Sequence, residues 1–531
     1  MTGHFRGLAA AAALLMASSG TEAFAQKHGG TLKIYDWDNP PSLSIHEEVT
    51  HATLVPMMGV LNNLVMYKQD EPQNTLQSIV PDLATEWSWN EDGSHLTFRL
   101  REGVKWHDGR PFTAKDVQCT WDLLLGRSSE RLRTNPHKAW YQNVEEVTAD
   151  SDFVATFRLR RPQPALIALL ASGFSPVYPC HVSPREMRQH PIGTGPFKFL
   201  EFKPKESIKV VRNPDYWKKG RPYLDGIEYP IITNRPTAIL AFIAGKLDMT
   251  FPFQVTVPLL NDVQSQAPQA ICELRTSNGA PTLIMNRTAP PFDNADLRKV
   301  IALTLDRKAF IDTLTGGQGK IGAAMMPPPE GVWGMPTDML QALPGYDPDV
   351  QKSRGEARKL MERMGYSPDK RLSLKISIRN IPFLRDPGII LIDQLKEVYI
   401  DGELDPVETS VWFPRIARRE YQVGLTGITS GVDDPDQQLY ENYSCGSERN
   451  YSGYCDRDVE QLIDRQSREA DQEKRRRLVW EIDKKLQQDS VRPIIYYGLD
   501  ATSWQPHVKG LTIMVNSVYN GWRFEDVWLN K

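Results

Sequence analysis

The sequence predicts a soluble α/β protein that is built from several domains. A strand is indicated where Leu96, Phe98 and Leu100 are separated by single polar residues, which is the period of a half-buried strand. A helix is indicated after Thr113, since Asp116 completes a capping-box pattern in front of an apolar stripe. The length of 531 residues corresponds to roughly three domains of ~150 residues each.

The N-terminal residues have the pattern of an export signal. A short, weakly basic region precedes the apolar stretch 8–17, and an A-x-A cleavage pattern ends at Ala25. We therefore expect residues 1–25 to be removed, so that the mature chain begins at Gln26; a buried N-terminal helix is the alternative. No later segment holds a run of about 18 apolar residues, the length of a membrane span, which predicts a soluble mature protein.

The composition gives no support to nucleic acid or an anionic membrane as a partner. The net charge is −3, from 66 acidic and 63 basic residues, which is close to neutral for this length. The thirteen Trp and eighteen Tyr are many, and such rings fill cores or line small-molecule sites.

The chain contains no motif that predicts catalysis, a cofactor or a metal. Glycine-rich phosphate loops, a dinucleotide-binding glycine pattern and a serine nucleophile elbow are all absent from the sequence. His46 and His51 are five residues apart, so on a helix they would point about 140° apart and could not share one metal. We expect the start of a surface helix there, and no catalytic, cofactor-binding or metal-binding residues.

Further strands and helices are predicted along the chain. Alternating apolar residues predict strands at 31–35, 153–159 and 372–378, and helical periodicity predicts helices at 353–364, 389–398 and 459–488. The last helical range is highly charged with both signs interspersed, which favours a solvated face over a binding patch.

Four segments follow one another in a characteristic order. They are Pro81–Val117, the crossing Gly193-Thr194-Gly195-Pro196, the run Arg212–Trp217, and the stretch from Met285 to Val300. In this order they closely resemble the motifs of family 5 solute-binding proteins, the receptors of dipeptide, oligopeptide, nickel and opine ABC importers. The resemblance spans nearly all of residues 30–531 and implies a binder rather than a catalyst.

The resemblance also implies an architecture. It is a bilobed class II periplasmic binding protein fold of the α/β class with an extra domain, the cluster C type. Lobe I would comprise residues 26–65 and 189–277 and a C-terminal return at 504–531, with an inserted subdomain at 66–188 and lobe II at 278–503. The two crossings between lobes would act as a hinge, and a solute bound between the lobes would stabilise the closed state.

The five cysteines of the chain would meet an oxidising compartment after export. Cys445 and Cys455 flank a short polar loop, so we expect a disulfide between them; related binders often carry a short-loop disulfide in this region. Two free thiols are the alternative. Cys119 is expected to be a buried thiol on the predicted helix, and Cys180 and Cys272 stay unassigned.

The segment 424–443 resembles the ligand-facing strand and loop of the family, whose pattern is G-W-x-x-D-x-x-D-P. The closing Asp-Pro is present, but Gly431 stands where the pattern has an Asp that pairs with the amino group of dipeptides. Either Asp433 replaces that Asp, or the solute lacks a free ammonium. The resemblance thus implies Thr429, Gly431 and Asp433 as ligand-facing residues, and a plain turn rich in Gly and Asp is the alternative.

Five further residues are candidates for ligand contacts. Arg385 falls near an Arg that binds the ligand carboxylate in some dipeptide binders, and Arg379 and Asn380 lie beside it at a strand end. Trp412 resembles an aromatic that packs at the cleft, and Trp37 follows the first strand and is expected to face the cleft from lobe I. A surface Arg that caps a helix and a core Trp are the alternatives for Arg385 and Trp412.

These features together predict a periplasmic receptor of an ABC importer. It would capture a short peptide or a peptide-like or opine-like solute by hinge closure, as a monomer, and deliver it to the permease subunits in the inner membrane. The missing Asp favours a non-peptide solute slightly. The alternatives are a secreted hydrolase, which the absence of catalytic motifs opposes, and a periplasmic chaperone or signal receptor on the same scaffold.

Overall fold

The computed structural model describes residues 26–531. The expected signal peptide, with its cleavage at Ala25, lies outside the described residues. Within residues 26–531, helices and strands are mixed along the chain and the strands form six sheets, which confirms the predicted α/β class. None of the helices in this part of the chain has the length and apolar character that crossing a bilayer requires.

The bounds of the secondary-structure elements are as follows. The strands are β1 (Thr31–Lys33), β2 (Val65–Tyr67), β3 (Ile79–Pro81), β4 (Ala84–Trp89), β5 (His95–Leu100), β6 (Val144–Ser151), β7 (Val154–Leu159), β8 (Phe197–Lys203), β9 (Ser207–Arg212), β10 (Gly226–Pro230), β11 (Val255–Thr256), β12 (Ile271–Thr276), β13 (Gly279–Met285), β14 (Leu372–Arg379), β15 (Ile400–Val407), β16 (Val423–Thr429), β17 (Leu499–Trp504), β18 (Val508–Lys509) and β19 (Trp528–Leu529). The α-helices are α1 (His51–Met58), α2 (Ala114–Leu124), α3 (Leu166–Ala171), α4 (Pro184–Met187), α5 (Arg235–Ile243), α6 (Val257–Gln266), α7 (Ala295–Thr304), α8 (Arg307–Thr315), α9 (Thr337–Gln341), α10 (Val350–Arg363), α11 (Pro382–Lys396), α12 (Thr409–Ala417), α13 (Pro435–Tyr443), α14 (Arg457–Arg468) and α15 (Gln472–Gln488).

Two neighbouring sheets form the body that we propose to be lobe I. The first has the strand order β1-β10-β9-β8, in which β1 runs parallel to β10 and the other pairs are antiparallel. The second has the order β11-β17-β12. Met249 bridges the two sheets by pairing with both Ile34 and Trp504. Strand β1 and the C-terminal strand β17 therefore belong to one body.

A separate antiparallel sheet, β4-β5-β7-β6, lies within the expected insert. Strand β5 matches the predicted alternation, since Leu96, Phe98 and Leu100 are all buried. Helix α2 packs against β6 and β7 and begins with the predicted capping box of Thr113 and Asp116. The local sequence signals were therefore sufficient for this part of the fold.

The sheet of the body that we propose to be lobe II has the order β13-β16-β14-β15. Strand β14 runs parallel to both β15 and β16, and β13 is antiparallel to β16. The parallel strands β14 and β16 therefore end at the same edge of the sheet, with Arg379 and Thr429 as their last residues. Ligands of α/β proteins bind at such carboxyl ends, and this edge faces the other body.

The connections between the two bodies are short. Only Ser277 and Asn278 separate β12 of one body from β13 of the other. Near residue 498 the chain crosses back from the second body to the first. Tyr497 still pairs with Lys320 of the second body, whereas β17 pairs with β11 and β12 of the first body. This pairing would place the start of the C-terminal return at Leu499 instead of residue 504, and the division into lobes remains our proposal.

Two predicted helical ranges have different bounds in the structure. Helix α11 begins at Pro382, seven residues before the expected start, because Ile381 is extended and proline fits the first helical position. The predicted helix at 459–488 is two helices, α14 and α15, because the side chain of Asp471 accepts the Lys474 N–H and starts a new helix.

The expectation of a surface helix start at the His46–His51 segment was wrong. Helix α1 begins at His51 after Thr50 as its cap, and both histidines are buried. His46 packs against the ring of Tyr178, with ring centres 4.2 Å apart. The segment is buried because it lies between the insert and the first body.

The described residues contain two disulfides and one free thiol. The predicted Cys445–Cys455 bond is present. Cys119 is bonded to Cys180, so the expectation of a buried free thiol was wrong. The segment before Cys180 is tied to α2, because the Tyr178 N–H donates to Thr120 Oγ1 at 2.9 Å and the Cys180 N–H donates to Asp116 Oδ1 at 2.9 Å.

We expect the Cys119–Cys180 bond to stabilise the fold more than the Cys445–Cys455 bond. It links cysteines 61 positions apart, whereas the other bond links cysteines 10 positions apart. Loop-closure entropy then gives about 4 and about 3 kcal/mol. Chemical unfolding of the Cys119→Ala/Cys180→Ala and Cys445→Ala/Cys455→Ala variants measures the decrease in the free energy of unfolding that each pair of changes causes. A larger decrease in the second variant would contradict the prediction.

Candidate ligand-binding site

A cleft lies between the two bodies and takes side chains from both. It holds about 810 Å³ of empty space, counting the part that is open to solvent. From the first body it is lined by Trp37, His51, Phe253, Gln254, Asp500 and Tyr519. From the second body it is lined by Arg379, Phe383, Phe413, Thr426, Thr429, Arg449 and Tyr451. A molecule bound here would contact both bodies at once.

Arg379 ends β14 and reaches across the cleft to the first body. Its Nη2 donates to Asp38 Oδ2 at 2.8 Å, and the same oxygen accepts the Thr409 hydroxyl at 2.7 Å. The two charged side chains are only 12% and 11% exposed, and the guanidinium lies 5.4 Å from the ring centre of Phe413. An anionic group of a solute would therefore compete with Asp38 for Arg379.

Arg449 is the second cation of the cleft and is also paired. It forms an ion pair with Glu441, which is 1% exposed and accepts the Trp140 indole N–H at 2.7 Å. The Nε of Arg449 is buried and has no hydrogen-bond partner among the described residues. This N–H is available to an acceptor on a bound molecule.

His51 lies in an aromatic wall of the cleft. Its ring meets Phe251 and Tyr519 edge-on, with ring centres 5.1 Å and 5.4 Å apart. Burial lowers the pKa of His51 to about 3 and outweighs its contact with the backbone of Val518, so the ring is neutral at neutral pH. Its Nε2 is buried without a hydrogen-bond partner in the described part of the chain, and is available to a polar group of a solute.

Asp500 is the only acid among the described residues that line the cleft. It lies on β17, opposite Arg275 of β12. Burial raises the pKa of Asp500 to about 6, and the charge of Arg235 opposes this effect in part. The cleft thus has a carboxylate on one wall and the guanidinium of Arg379 on the other.

A second groove opens beside the cleft. The two share Val49, Phe413, Arg449 and Tyr451. The groove also contains Glu48, whose carboxylate accepts hydrogen bonds from the Ser42 hydroxyl and Arg133 Nη2, each at 2.7 Å. Burial raises the pKa of Glu48 to about 7. A solute too large for the cleft could extend into this groove.

Asp433 lies in a different, smaller cavity, which Asn278, Trp333 and Asn516 help to line. Its carboxylate has only a long hydrogen bond from Asn516 Nδ2, at 3.4 Å, among the side chains described. Burial and then the neighbouring charge of Asp434 raise the pKa of Asp433 to about 7. The structure does not bring Asp433 into the cleft that contains Arg379.

Asp433→Asn is expected to stabilise the protein, and the gain should increase from pH 5 to pH 8 by about 1 to 3 kcal/mol. A raised carboxyl pKa means that the folded chain keeps a proton that the unfolded chain releases, so wild-type stability falls as pH rises from about 4 to about 7. An amide stays neutral and avoids this loss. Thermal unfolding at both pH values measures the effect, with the exposed Asp369→Asn as a control for the charge change. A gain that does not grow with pH would contradict the prediction.

Three residues chosen from the sequence line the cleft. They are Trp37, Arg379 and Thr429. The guanidinium of Arg379 lies 6.0 Å from the ring centre of Trp37, which follows β1 in the other body. Arg379 and Thr429 are the last residues of β14 and β16.

Two other candidates are exposed and lie outside the cleft. Asn380 is the first residue after β14, and Arg385 lies on the outer side of α11 with its Nε 3.9 Å from Asp386 Oδ1. Neighbouring residues of the same helix, Phe383 and Leu384, line the cleft instead. The helical period turns Arg385 towards solvent.

The last two candidates are buried, but not in the cleft. Trp412 is fully buried in a core cluster, and α12 presents the next residue, Phe413, to the cleft. Gly431 lies in a packed loop, where its carbonyl accepts the Asn520 side-chain N–H at 2.6 Å. A Cβ at Gly431 would come within 2.9 Å of Ser172 Oγ, so the close packing requires glycine there.

Four residues that line the cleft were not predicted as ligand contacts: His51, Arg449, Asp500 and Tyr519. They come from a helix start, two loops and a strand that are far apart in the chain. Two of the four could have been found from the sequence, because a polar residue within an otherwise apolar, buried segment indicates a functional role. This applies to His51 and to Asp500, which precedes the buried Ala501.

The chain is similar to bacterial solute-binding proteins. The model of bacterial extracellular solute-binding proteins, family 5, matches residues 78–450. The chain is 25% identical to di/tripeptide-binding protein 1 of Pseudomonas aeruginosa over 460 residues, which are 81% of this chain and 82% of that protein.

Solved structures share the fold. The OppA protein of Haemophilus influenzae, solved in complex with RPPGFSPFR, superposes with a TM-score of 0.84 at 20% identity, over 96% of this chain and 100% of that one. The binding protein AgaA of A. tumefaciens R10, solved with agropinic acid, superposes with a TM-score of 0.81 at 21% identity, over 94% and 99%. The bilobed periplasmic binding protein fold is thereby confirmed. The family match covers most of the chain, and the protein belongs to the bacterial extracellular solute-binding proteins of family 5.

Proposed function

We propose that the protein is a periplasmic receptor that captures a short peptide, or a peptide-like or opine-like solute, for an ABC importer. The observation that carries this proposal is one cleft with walls from both bodies, which is lined by aromatic rings, by Arg379 and by Asp500. A guanidinium fork suits a carboxylate, and aromatic walls suit apolar side chains. Relatives named for di- and tripeptides and a fold neighbour solved with agropinic acid support the same class of solute.

Arg379 is proposed to bind a carboxylate of the solute. The bond from Arg379 to Asp38 joins the two bodies across the cleft, so the guanidinium is already held in position. A solute carboxylate beside it would add a second charge-assisted contact in a largely buried place, where such contacts are strongest. The cost is the partial loss of the bond to Asp38, which keeps the Thr409 hydroxyl as a donor.

Capture is proposed to work by closure of the two lobes. The segments that connect them, Ser277–Asn278 and the stretch around Gly498, are short and lie beside each other, since Ser277 N–H donates to the Gly498 carbonyl at 3.0 Å. Such adjacent crossings can serve as a hinge. A solute that touches both walls binds the closed state more tightly and shifts the population towards it.

The closed protein, as a monomer, is proposed to dock on the permease subunits and release the solute unchanged. The cleft pairs its arginines with buried acids and holds a neutral histidine, an arrangement suited to binding. Turnover of a peptide or ester panel by the purified protein would instead support a secreted hydrolase.

X-ray scattering tests this proposal. The protein is freed of bound molecules by denaturation with its disulfides intact and is then refolded. Addition of the small-molecule fraction of a periplasmic extract should reduce the radius of gyration, because closure brings the lobes together. An unchanged radius at saturating extract would contradict capture by closure.

A further inference from the structure

We propose that Asp500 binds a cationic group of the solute, so that recognition requires a basic nitrogen. This inference rests on the proposed function of the cleft and specifies the charge class of its solute. It assigns the cation to a strand of the first lobe, whereas the sequence pattern points to the loop around Gly431 in the second.

The first observation is that Asp500 has no partner of its own. Within residues 26–531, no ion pair within 4.0 Å and no side-chain hydrogen bond involves its carboxylate. Burial raises the pKa of Asp500, and Arg235 is the cation whose charge opposes this effect. Its Nη1 lies 3.8 Å from Asp386 Oδ2, and its Nη2 donates to Gln254 at 3.5 Å. Both contacts of Arg235 are long, and Arg235 makes no ion pair or hydrogen bond with Asp500, whose side chain lines the cleft.

The second observation concerns the charges around Asp500. Both arginines of the cleft are already balanced, Arg379 by Asp38 and Arg449 by Glu441. A carboxylate in a partly buried site costs free energy when it is ionised without a partner. A cation brought by the solute would supply that partner, which ties the affinity of the cleft to a positive charge on the solute.

The third observation is a second hydrogen-bonding position that suits a donor. His51 lines the same cleft, is buried to about nine-tenths, and has a neutral ring whose Nε2 has no partner among the described residues. The contact of the ring with the backbone of Val518 favours the tautomer that has its proton on Nδ1, in which Nε2 is an acceptor. The aromatic rings of Trp37 and Tyr519 nearby also favour a cation.

This assignment explains why Gly431 can lack the acid of the family pattern. The loop that contains Gly431 is packed against Ser172 and Gln437, where an Asp side chain would clash. Asp500 supplies a carboxylate from the opposite wall of the cleft instead. The cleft thereby still has a carboxylate for a cationic group of the solute, and the loop that contains Gly431 can pack closely.

The pH provides a second readout. Around Asp500 the charged and titratable groups are Arg235 on α5, Asp386 on α11, Arg275 on β12 and Tyr496. Burial places the pKa of Asp500 at about 6, so below this pH the carboxyl is neutral and cannot pair with a cation.

The experiment offers each protein two periplasmic small-molecule extracts, one untreated and one treated with acetic anhydride to block its amines. Wild type, Asp500→Asn and Asp500→Glu are freed of bound molecules beforehand, and native mass spectrometry identifies what each protein binds. Asp262→Asn is the control for the loss of one negative charge, since it removes an exposed acid of the first body that does not line the cleft and leaves Arg235 with its partners. Thermal unfolding and circular dichroism establish that each variant is folded.

The expected result is that every molecule bound by wild type contains a basic nitrogen. Asp500→Asn should bind these molecules roughly 10- to 100-fold more weakly, while Asp500→Glu and Asp262→Asn stay closer to wild type. The affinity of wild type for these molecules should be lower at pH 5 than at pH 7. In Asp500→Asn the affinity should depend much less on pH over this range. Glu48 and Asp433 titrate in the same range, so the comparison between wild type and Asp500→Asn isolates the part due to Asp500.

Three results would overturn the proposal. They are a bound molecule without a basic nitrogen, an Asp500→Asn affinity within about twofold of wild type, and an unchanged pH dependence in that variant. A basic solute that is neither peptide-like nor opine-like would support the role of Asp500 and contradict the proposed class of solute. A wild-type protein that binds nothing from either extract would contradict both.

Discussion

Arg379→Ala is expected to weaken solute binding by about 2 to 5 kcal/mol, the largest effect of any single change in the cleft. The variant loses the guanidinium that we assign to the solute carboxylate. It also leaves Asp38 largely buried with the Thr409 hydroxyl as its remaining donor, which we expect to lower the free energy of unfolding by about 2 kcal/mol. Calorimetry with the molecules identified by mass spectrometry measures the first effect, and chemical unfolding measures the second.

Two control variants separate position from charge. Arg385→Ala removes an exposed guanidinium of the neighbouring helix and should change binding by less than about 0.5 kcal/mol. Arg379→Lys keeps a charge but loses the fork, so its affinity should lie between wild type and Arg379→Ala. If Arg385→Ala weakened binding as much as Arg379→Ala, the assignment of the carboxylate to Arg379 would be wrong.

Arg475→Ala is expected to destabilise the protein by about 3 to 5 kcal/mol. Its guanidinium donates to both oxygens of Asp434 at 2.7 Å and to Asp436 at 3.2 Å, and all three residues are buried. Removal of the Arg leaves two buried carboxylates without a cation. The ion pair of Arg475 with Asp434 also holds the start of α13, the helix that follows the packed loop at Gly431.

The neighbouring Arg477 provides the control for this prediction. It lies on the same helix, α15, and is exposed, so Arg477→Ala should change the free energy of unfolding by less than about 0.5 kcal/mol. Urea unfolding of both variants gives the comparison. Equal stabilities for Arg475→Ala and Arg477→Ala would show that the buried ion pair contributes nothing.

The fold could be predicted because its signals are local. The alternation in β5, the capping box of Thr113 and the ordered motifs each lie within a few residues, and they identified the family without any long-range information. The Cys445–Cys455 bond was predictable for the same reason. The Cys119–Cys180 bond was not, because it depends on how the segment at Tyr178 packs against α2.

The site could be predicted only in part because it is assembled from distant segments. Arg379 was chosen at a predicted strand end and Thr429 from the resemblance of its segment to the family, and the parallel strands β14 and β16 bring both residues to one edge of the sheet. Asp500 reaches the cleft through the pairing of β17 with β12, a contact between residues more than 200 positions apart that no local pattern indicates. Asp433 and Trp412 lie outside this cleft, because the sequence specifies a residue type but not the side to which the packed chain directs it.

Hydrogen exchange is the measurement that tests the central claim, capture of a solute between two lobes, most directly. Addition of the periplasmic small-molecule fraction to the emptied protein should slow exchange on both walls together, in peptides that contain His51 and Phe253 on one side and Phe383 and Thr429 on the other. Closure excludes water from both walls, so protection should appear in both at the same concentration. Protection on one wall alone, or in neither, would contradict binding in the cleft between the lobes.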